Sequence, residues 1–196
     1  FLFIIAYIFP SFLLAIELNQ LELEDGFEIS IYADNLDAPR QMVEGKNGTI
    51  FVGERGGQIL ALIDSDNNGQ VDSRTVIAKD LTYSTGVSLF NGDLYFSEIN
   101  KIWKIENIED WLKSQSSMNK TPEKKTFIQD LPGDTWHGWK WLKHDSEGRL
   151  YFNVGAPCNI CLSENSQFAS ILRFENGDLE HVAKGVRNSV GFDFHP

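Results

Sequence analysis

The chain has 196 residues, a net charge of −11, 42% hydrophobic residues and 23% charged residues. That length builds one domain with a sizeable core, and the balance is that of an ordinary globular protein. The acidity excludes a nucleic-acid binder, which needs a basic face, and otherwise describes a solubilising surface.

The chain opens on an apolar run from Phe1 to Ile16, broken only by Pro10 and Ser11. It is shorter than the roughly 20 apolar residues of a spanning helix. It reads as the h-region of a truncated signal peptide over residues 1–20, with Ala15 near the cleavage point. A membrane anchor and a buried helix are the alternatives. Export to a periplasmic or secreted location follows from the first reading, and membrane contact would come only through an uncleaved N-terminal segment.

From Leu21 onward the hydrophobic period is two, the signature of half-buried strands. "FEISIYA" (27–33) alternates cleanly. "GTIFVGER" (48–55) follows an Asn-Gly turn, and "QILALID" (58–64) follows Gly56-Gly57. "GVSLF" (86–90), Asn91-Gly92 and "DLYFSE" (93–98) form a hairpin pattern. "GRLYFNVG" (148–155), "SILRFEN" (170–176), Gly177 and "DLEHVA" (178–183) repeat it. "NIEDWLKSQSS" (107–117) is the one helix candidate, with Asn107 placed to cap it and Glu109 and Asp110 in its first turn. Residues 116–125 form a polar insertion. Asn47 and Asn119 each start a glycosylation pattern, although Asn47 fits a hairpin turn better.

Gly86, Gly138 and Gly191 open related four-residue runs, 52 and 53 residues apart. A weaker copy begins near Arg40. A period near 50 with about four strands per unit predicts an all-β protein, a β-propeller rather than a sandwich, which has no reason to repeat at this length. The sequence stops at "GFDFHP", where a new unit would begin, so residues 21–196 are expected to be the N-terminal half of a propeller domain.

Several residues carry chemistry. Loops leading into the innermost strands of a propeller meet at one mouth. The repeat brings His137, ahead of Gly138, to the same mouth as Arg187 and Asn188, ahead of Gly191. A neutral imidazole suits general-base work, and a guanidinium with an amide suits anionic oxygens. The bland alternatives are an inter-blade ion pair for Arg187 and a turn role for Asn188. Cys158 and Cys161, in an exported protein, predict a local disulfide; free thiols or a redox pair are the other options. Asp64, Asp66, Asn68 and Asp72 have the spacing of a calcium loop, but residue 75 is threonine and strands flank the loop, so a plain polar hairpin competes with it.

"TWHGWKWLKHDSEGRLYFNVGAPCNIC" and "AKGVRNSVGFDFHP" resemble the glucose/sorbosone dehydrogenase family of six-bladed propellers, in particular its sorbosone-dehydrogenase-like branch. "LDAPRQMV" and "IFVGERGGQI" fit that family's first blade. The resemblance spans Gly26 to Pro196 and implies about three of six blades. It also implies oxidation of a sugar or aldose-type substrate by hydride transfer to pyrroloquinoline quinone (PQQ), held with calcium, and reoxidation by an external acceptor such as a cytochrome or quinone. His137 would be the base, and Arg187 and Asn188 would contact the quinone oxygens. Further cationic contacts and the calcium-binding carbonyls would follow residue 196, so this segment alone is expected to be inactive. A non-catalytic propeller binding module and a calcium-dependent lactonase-type hydrolase are the competing functions.

Overall fold

A computed structural model describes residues 18–114 and 120–195. Residues 1–17, which carry most of the signal-peptide expectation, and Asn119 lie outside the described residues; Leu18–Gln20 form a 3₁₀ turn. No helix among the described residues is long and apolar enough to cross a membrane.

Among the described residues, twelve strands form three four-stranded antiparallel sheets, each built from four strands consecutive in sequence. The first holds β1 (Pro39–Glu44), β2 (Ile50–Glu54), β3 (Ile59–Ile63) and β4 (Ser73–Ala78). The second holds β5 (Val87–Phe90), β6 (Asp93–Ser97), β7 (Ile102–Ile105) and β8 (Lys125–Ile128). The third holds β9 (Leu142–His144), β10 (Leu150–Val154), β11 (Ser170–Glu175) and β12 (Asp178–Lys184). β5 packs against β1 on one side and β9 on the other, so the first strand of every sheet lies innermost. The sheets are consecutive propeller blades.

Side chains alternate between blade faces, and both faces are covered where blades stack. Phe96 of β6 joins Phe51, Ile59 and Ile77 between blades 1 and 2. Its neighbour Tyr95 joins Leu142, Leu150 and Phe152 between blades 2 and 3. This explains why the second strands read as continuous apolar runs: β10 is buried at all five positions. Truncating Phe96 or Phe152, both fully buried, to alanine costs about 3–5 kcal/mol. Tight turns set the hairpin register. Asn91 (φ 50°) and Gly92 (φ 86°) join β5 to β6, and Asn176 (φ 53°) and Gly177 (φ 97°) join β11 to β12. Two successive residues at positive φ match the right-handed twist of the strands they connect.

One expectation needs correction. The segment 27–33 alternates but forms no ladder with any described strand. Phe27, Ile29 and Ile31 are exposed. Alternation supplies a face, whereas a strand also needs a neighbour for its amides. Tyr32, Ala33 and Leu36 instead cover Val52, Leu60 and Leu62 on the outer side of blade 1. The helix α1 spans Ile108–Ser114 and starts directly after Asn107, whose carbonyl accepts the Trp111 amide (3.0 Å), the position expected for the cap. Asn107 lies at φ 48° and donates its N–H to Asp93. Glu109 accepts the amides of Lys46 and Asn47, tying α1 to the β1–β2 turn.

Candidate active site at the blade mouth

The innermost strands are joined by side chains where backbone pairing stops. Gln41 of β1 is buried. Its Oε1 accepts from the amides of Val87 in β5 (3.1 Å) and Leu142 in β9 (2.9 Å), and its Nε2 donates to the Leu142 carbonyl (2.6 Å). One amide therefore ties three blades together. The run Trp139–Trp141 precedes the β9 ladder and depends on Asn153 of β10. The Asn153 side chain accepts from the Trp141 amide (2.6 Å) and donates to the Trp139 carbonyl (2.9 Å). Thr85 donates to the Lys140 carbonyl (3.2 Å).

His137 enters this mouth at φ 49°, a left-handed conformation that histidine tolerates better than β-branched residues do. Its Nδ1 lies 2.8 Å from the Ala156 carbonyl. A carbonyl only accepts, so the proton sits on Nδ1 and the Nε2 lone pair is left basic. Close approach is permitted by Gly155: a Cβ there would come within 2.4 Å of the His137 Cβ and carbonyl. The Ala156 amide in turn donates to the Arg187 carbonyl (2.8 Å). Ala156 thus joins the base candidate to the Arg187-Asn188 segment, although 50 residues separate them in sequence. The side chains of Arg187 and Asn188 are exposed. The chain beyond them runs beside blade 3. Trp141 donates to the Phe192 carbonyl (3.1 Å), and Lys143 pairs with Asp193 at 3.0 Å.

Sequence reasoning missed a group of cations at this mouth. The Arg55 guanidinium lies 4.6 Å from the centre of the Trp139 ring, and that of Arg40 lies 6.0 Å away. Tyr83 stacks on Trp139 at 4.2 Å. Arg40 also shares a small cavity with Gln41, Trp139, Lys140, Trp141 and Ser189. Lys140 is 4% exposed, and burial pulls its ammonium down to about 8. The available signal was the repeat: Arg40 opens its weak first copy, and Lys140 lies two residues after the glycine of its third. His144, the other histidine of this stretch, is a half-buried packing group. Its Nδ1 lies 2.9 Å from Ser88 Oγ, its ring packs on Phe90 and Tyr95, and burial holds it down to about 4.

The remaining candidates lie elsewhere. Cys158 and Cys161 are joined by a disulfide, two residues beyond Ala156. The Asp64–Asp72 loop joins β3 to β4. Carboxylate oxygens of Asp64, Asp66 and Asp72 lie within 4.8 Å of one another. Asp64 accepts the amides of Asn68 and Gly69, Asp66 accepts from the Asn68 amide and side chain, and Asp72 accepts from the Ser65 amide and hydroxyl. Asn68 Oδ1 accepts from the Gln70 amide.

Four-stranded blades in sequential order around their first strands, with a polar mouth between them, define the β-propeller class. The sequence model of the TrAA12-like family matches residues 21–196, and the chain belongs to that family. This agrees with the resemblance to glucose/sorbosone dehydrogenases. An uncharacterized protein of Borreliella burgdorferi is 29% identical over 184 residues, which cover 91% of this chain and 47% of that one. The fold is similar to the holo form of the pyranose dehydrogenase PQQ domain from Coprinopsis cinerea. There the TM-score is 0.72 and the identity 19%, over 87% of this chain and 44% of that one. It is also similar to the calcium structure of the Trichoderma reesei family AA12 enzyme. That match has a TM-score of 0.62 and 19% identity, over 77% of this chain and 38% of that one. The chain thus spans about half the length, or less, of the proteins it matches.

Proposed function

We propose that the full-length protein is an exported quinoprotein that oxidises a sugar or aldose-type substrate, with PQQ and calcium as cofactors and His137 as general base. The reading is supported by family membership and by the names of the structural neighbours, one a PQQ domain of a pyranose dehydrogenase and one a calcium structure. The residues present fit an anionic, planar group. Arg187 and Asn188 would offer donors to its oxygens, and the cavity beside Trp139 has cations but no carboxylate in its lining. Calcium would take main-chain carbonyls after the Arg-Asn segment, as the family resemblance implies. Bound PQQ supplies the two-electron acceptor for the hydride that leaves the sugar carbon.

The observation that carries the reading is the Ala156 junction. Its carbonyl fixes the tautomer of His137, so Nε2 is the nitrogen that accepts the hydroxyl proton as the carbon–oxygen bond becomes a carbonyl. Its amide sets the Arg187 backbone beside the same loop. The test is to load full-length protein with PQQ and calcium, supply a panel of aldoses, and follow reduction of an electron-accepting dye. Sugar-dependent reduction that requires both cofactors is expected. Tight PQQ binding without turnover on any aldose would instead favour a binding module, and lactone hydrolysis without PQQ would favour the hydrolase.

A further inference from the structure

The Cys158–Cys161 disulfide closes a loop of only four residues. A cross-link this short removes little freedom from the unfolded chain, so it adds less to overall stability than one closing a long loop. It also braces no core. Cys161 is exposed, and Ile160 and Leu162 on either side of it are fully exposed. Among the described residues, no hydrogen bond ties residues 157–162 to the blades. The place of the disulfide in the chain is more informative. Pro157, whose ring restricts its own φ, is the one residue between Cys158 and Ala156. Ala156 is buried and bonded on both sides: its carbonyl accepts from His137 Nδ1, and its amide donates to the Arg187 carbonyl. Gly155, before it, packs directly against the His137 Cβ and carbonyl. Both cysteines, Ala156 and Arg187 line one cleft. The cross-link thus stands where β10 gives way to a loop with no other tie among the described residues, two residues beyond the carbonyl that orients the imidazole.

We propose that the Cys158–Cys161 disulfide is a positioning element for His137. By fixing the chain just past Ala156, it holds the Ala156 carbonyl on Nδ1 and keeps the Nε2 lone pair available. A carbonyl that swings off Nδ1 lets the neutral ring carry its proton on either nitrogen. The Nε2–H form has no lone pair at that atom to take a proton. The two cysteines act through Ala156 and touch no reacting atom. The positioning stands on the geometry of the loop; only its effect on turnover rests on the proposed function.

The experiment compares full-length wild type with the Cys158→Ser/Cys161→Ser variant. Nitrogen NMR of the histidine side chains, without PQQ, reads the tautomer, and His137→Gln assigns the His137 signals. Wild type should show the Nδ1–H form. In the variant the Nε2–H form should appear, and the Ala156 amide should exchange with solvent at least about tenfold faster while Phe152 in β10 keeps its protection. Dithiothreitol should reproduce both changes in wild type. It passes two electrons and two protons to the disulfide, giving two thiols, and closes to its own cyclic disulfide. On the variant it should leave the His137 signals as they are. The thermal midpoint of the variant should fall by no more than about 5 °C, the scale of a short closed loop. With PQQ, calcium and sugar, kcat of the variant should fall about tenfold, less than on removal of the base itself, with KM nearly unchanged. An unaltered tautomer and unaltered Ala156 exchange in the variant overturn the positioning role and leave the proposed function standing. Global unfolding on substitution and on reduction alike overturns it too, since the disulfide would then be a staple of the whole blade. A shifted tautomer with undiminished turnover keeps the positioning role and removes His137 as the base.

Discussion

The acidic loop Asp64–Asp72 and the basic mouth around Trp139 both gather charge, and they treat it in opposite ways. In the loop each carboxylate accepts amide or hydroxyl protons from within the same nine-residue stretch. At the mouth, Arg40 and Arg55 rest on an aromatic face, Lys140 is buried without an acid, and the His137 ring spends one nitrogen on Ala156 and keeps the other. The loop spends its carboxylates on bracing its own turn. The mouth instead orients its charged groups on aromatic rings and on backbone carbonyls of other segments.

The largest effect should come from the one basic nitrogen. In full-length protein loaded with PQQ and calcium, His137→Ala should lower kcat by about 10²–10⁴, the usual contribution of a general base. PQQ affinity should stay within about threefold, because proton acceptance acts in the transition state rather than in cofactor binding. Steady-state kinetics with a parallel binding titration separate the two quantities. An equal loss in both would move His137 from the chemistry to the cofactor pocket.

The same stretch of sequence holds a second contrast, between His137 and His144. His144 is half-buried against Ser88, Phe90 and Tyr95, and the desolvation of its ring outweighs the raising influence of Asp145. Its folded-state value is about 4, against about 6.5 for an unfolded histidine. The unfolded chain therefore takes up a proton that the folded chain refuses. Stability from this group is complete above about pH 6.5 and declines as pH falls toward about 4, by roughly 2–3 kcal/mol. Urea unfolding at pH 7.5 and 4.5 measures the loss. His144→Phe, which keeps the aromatic packing, should flatten it.

What the sequence made legible follows from where physical order is local. Glycine spacing and alternation revealed the blades, because each blade is a run of hairpins whose turns and faces are written in consecutive residues. The repeat suggested a shared mouth for His137, Arg187 and Asn188 because each precedes the glycine of its unit. The 27–33 segment misled because its alternation says nothing about a partner strand. Lys140, Gln41 and Asn153 were invisible because their roles depend on bonds between segments up to 101 residues apart, as in the Gln41–Leu142 contact. The protonated nitrogen of His137 likewise depends on Ala156, 19 residues onward. No period in the chain announces it.

A smaller effect is expected at the rim. The Arg187 backbone is fixed through Ala156, but its side chain is exposed. Arg187→Gln keeps the backbone bond and removes the charge, so protein stability should hardly change. PQQ affinity should fall about 10–100-fold, the equivalent of about 1.5–3 kcal/mol for a hydrogen bond to a charged group. Asn188→Ala should cost only a few-fold. Isothermal titration with PQQ reads both. An unchanged affinity in Arg187→Gln would reduce this residue to a surface cation.

The smallest effect should come from the loop that looks most like a metal site. Asp64, Asp66 and Asp72 come together closely enough to share a cation, yet each carboxylate already accepts hydrogen bonds that brace the turn without one. The hydrogen bonds from Ser65 hold the Asp72 carboxyl below its ordinary range, so it is ionised at neutral pH without any cation to favour that form. A ligand that binds only the folded state raises the midpoint by mass action, and millimolar calcium on a micromolar site would do so by several degrees. With PQQ absent, addition of calcium followed by EGTA should therefore move the thermal midpoint by less than about 1 °C, and Asp66→Asn should not alter that response. A larger shift, abolished by Asp66→Asn, would make the loop a calcium site after all and end the contrast with the mouth, since both clusters would then hold open positions for a ligand.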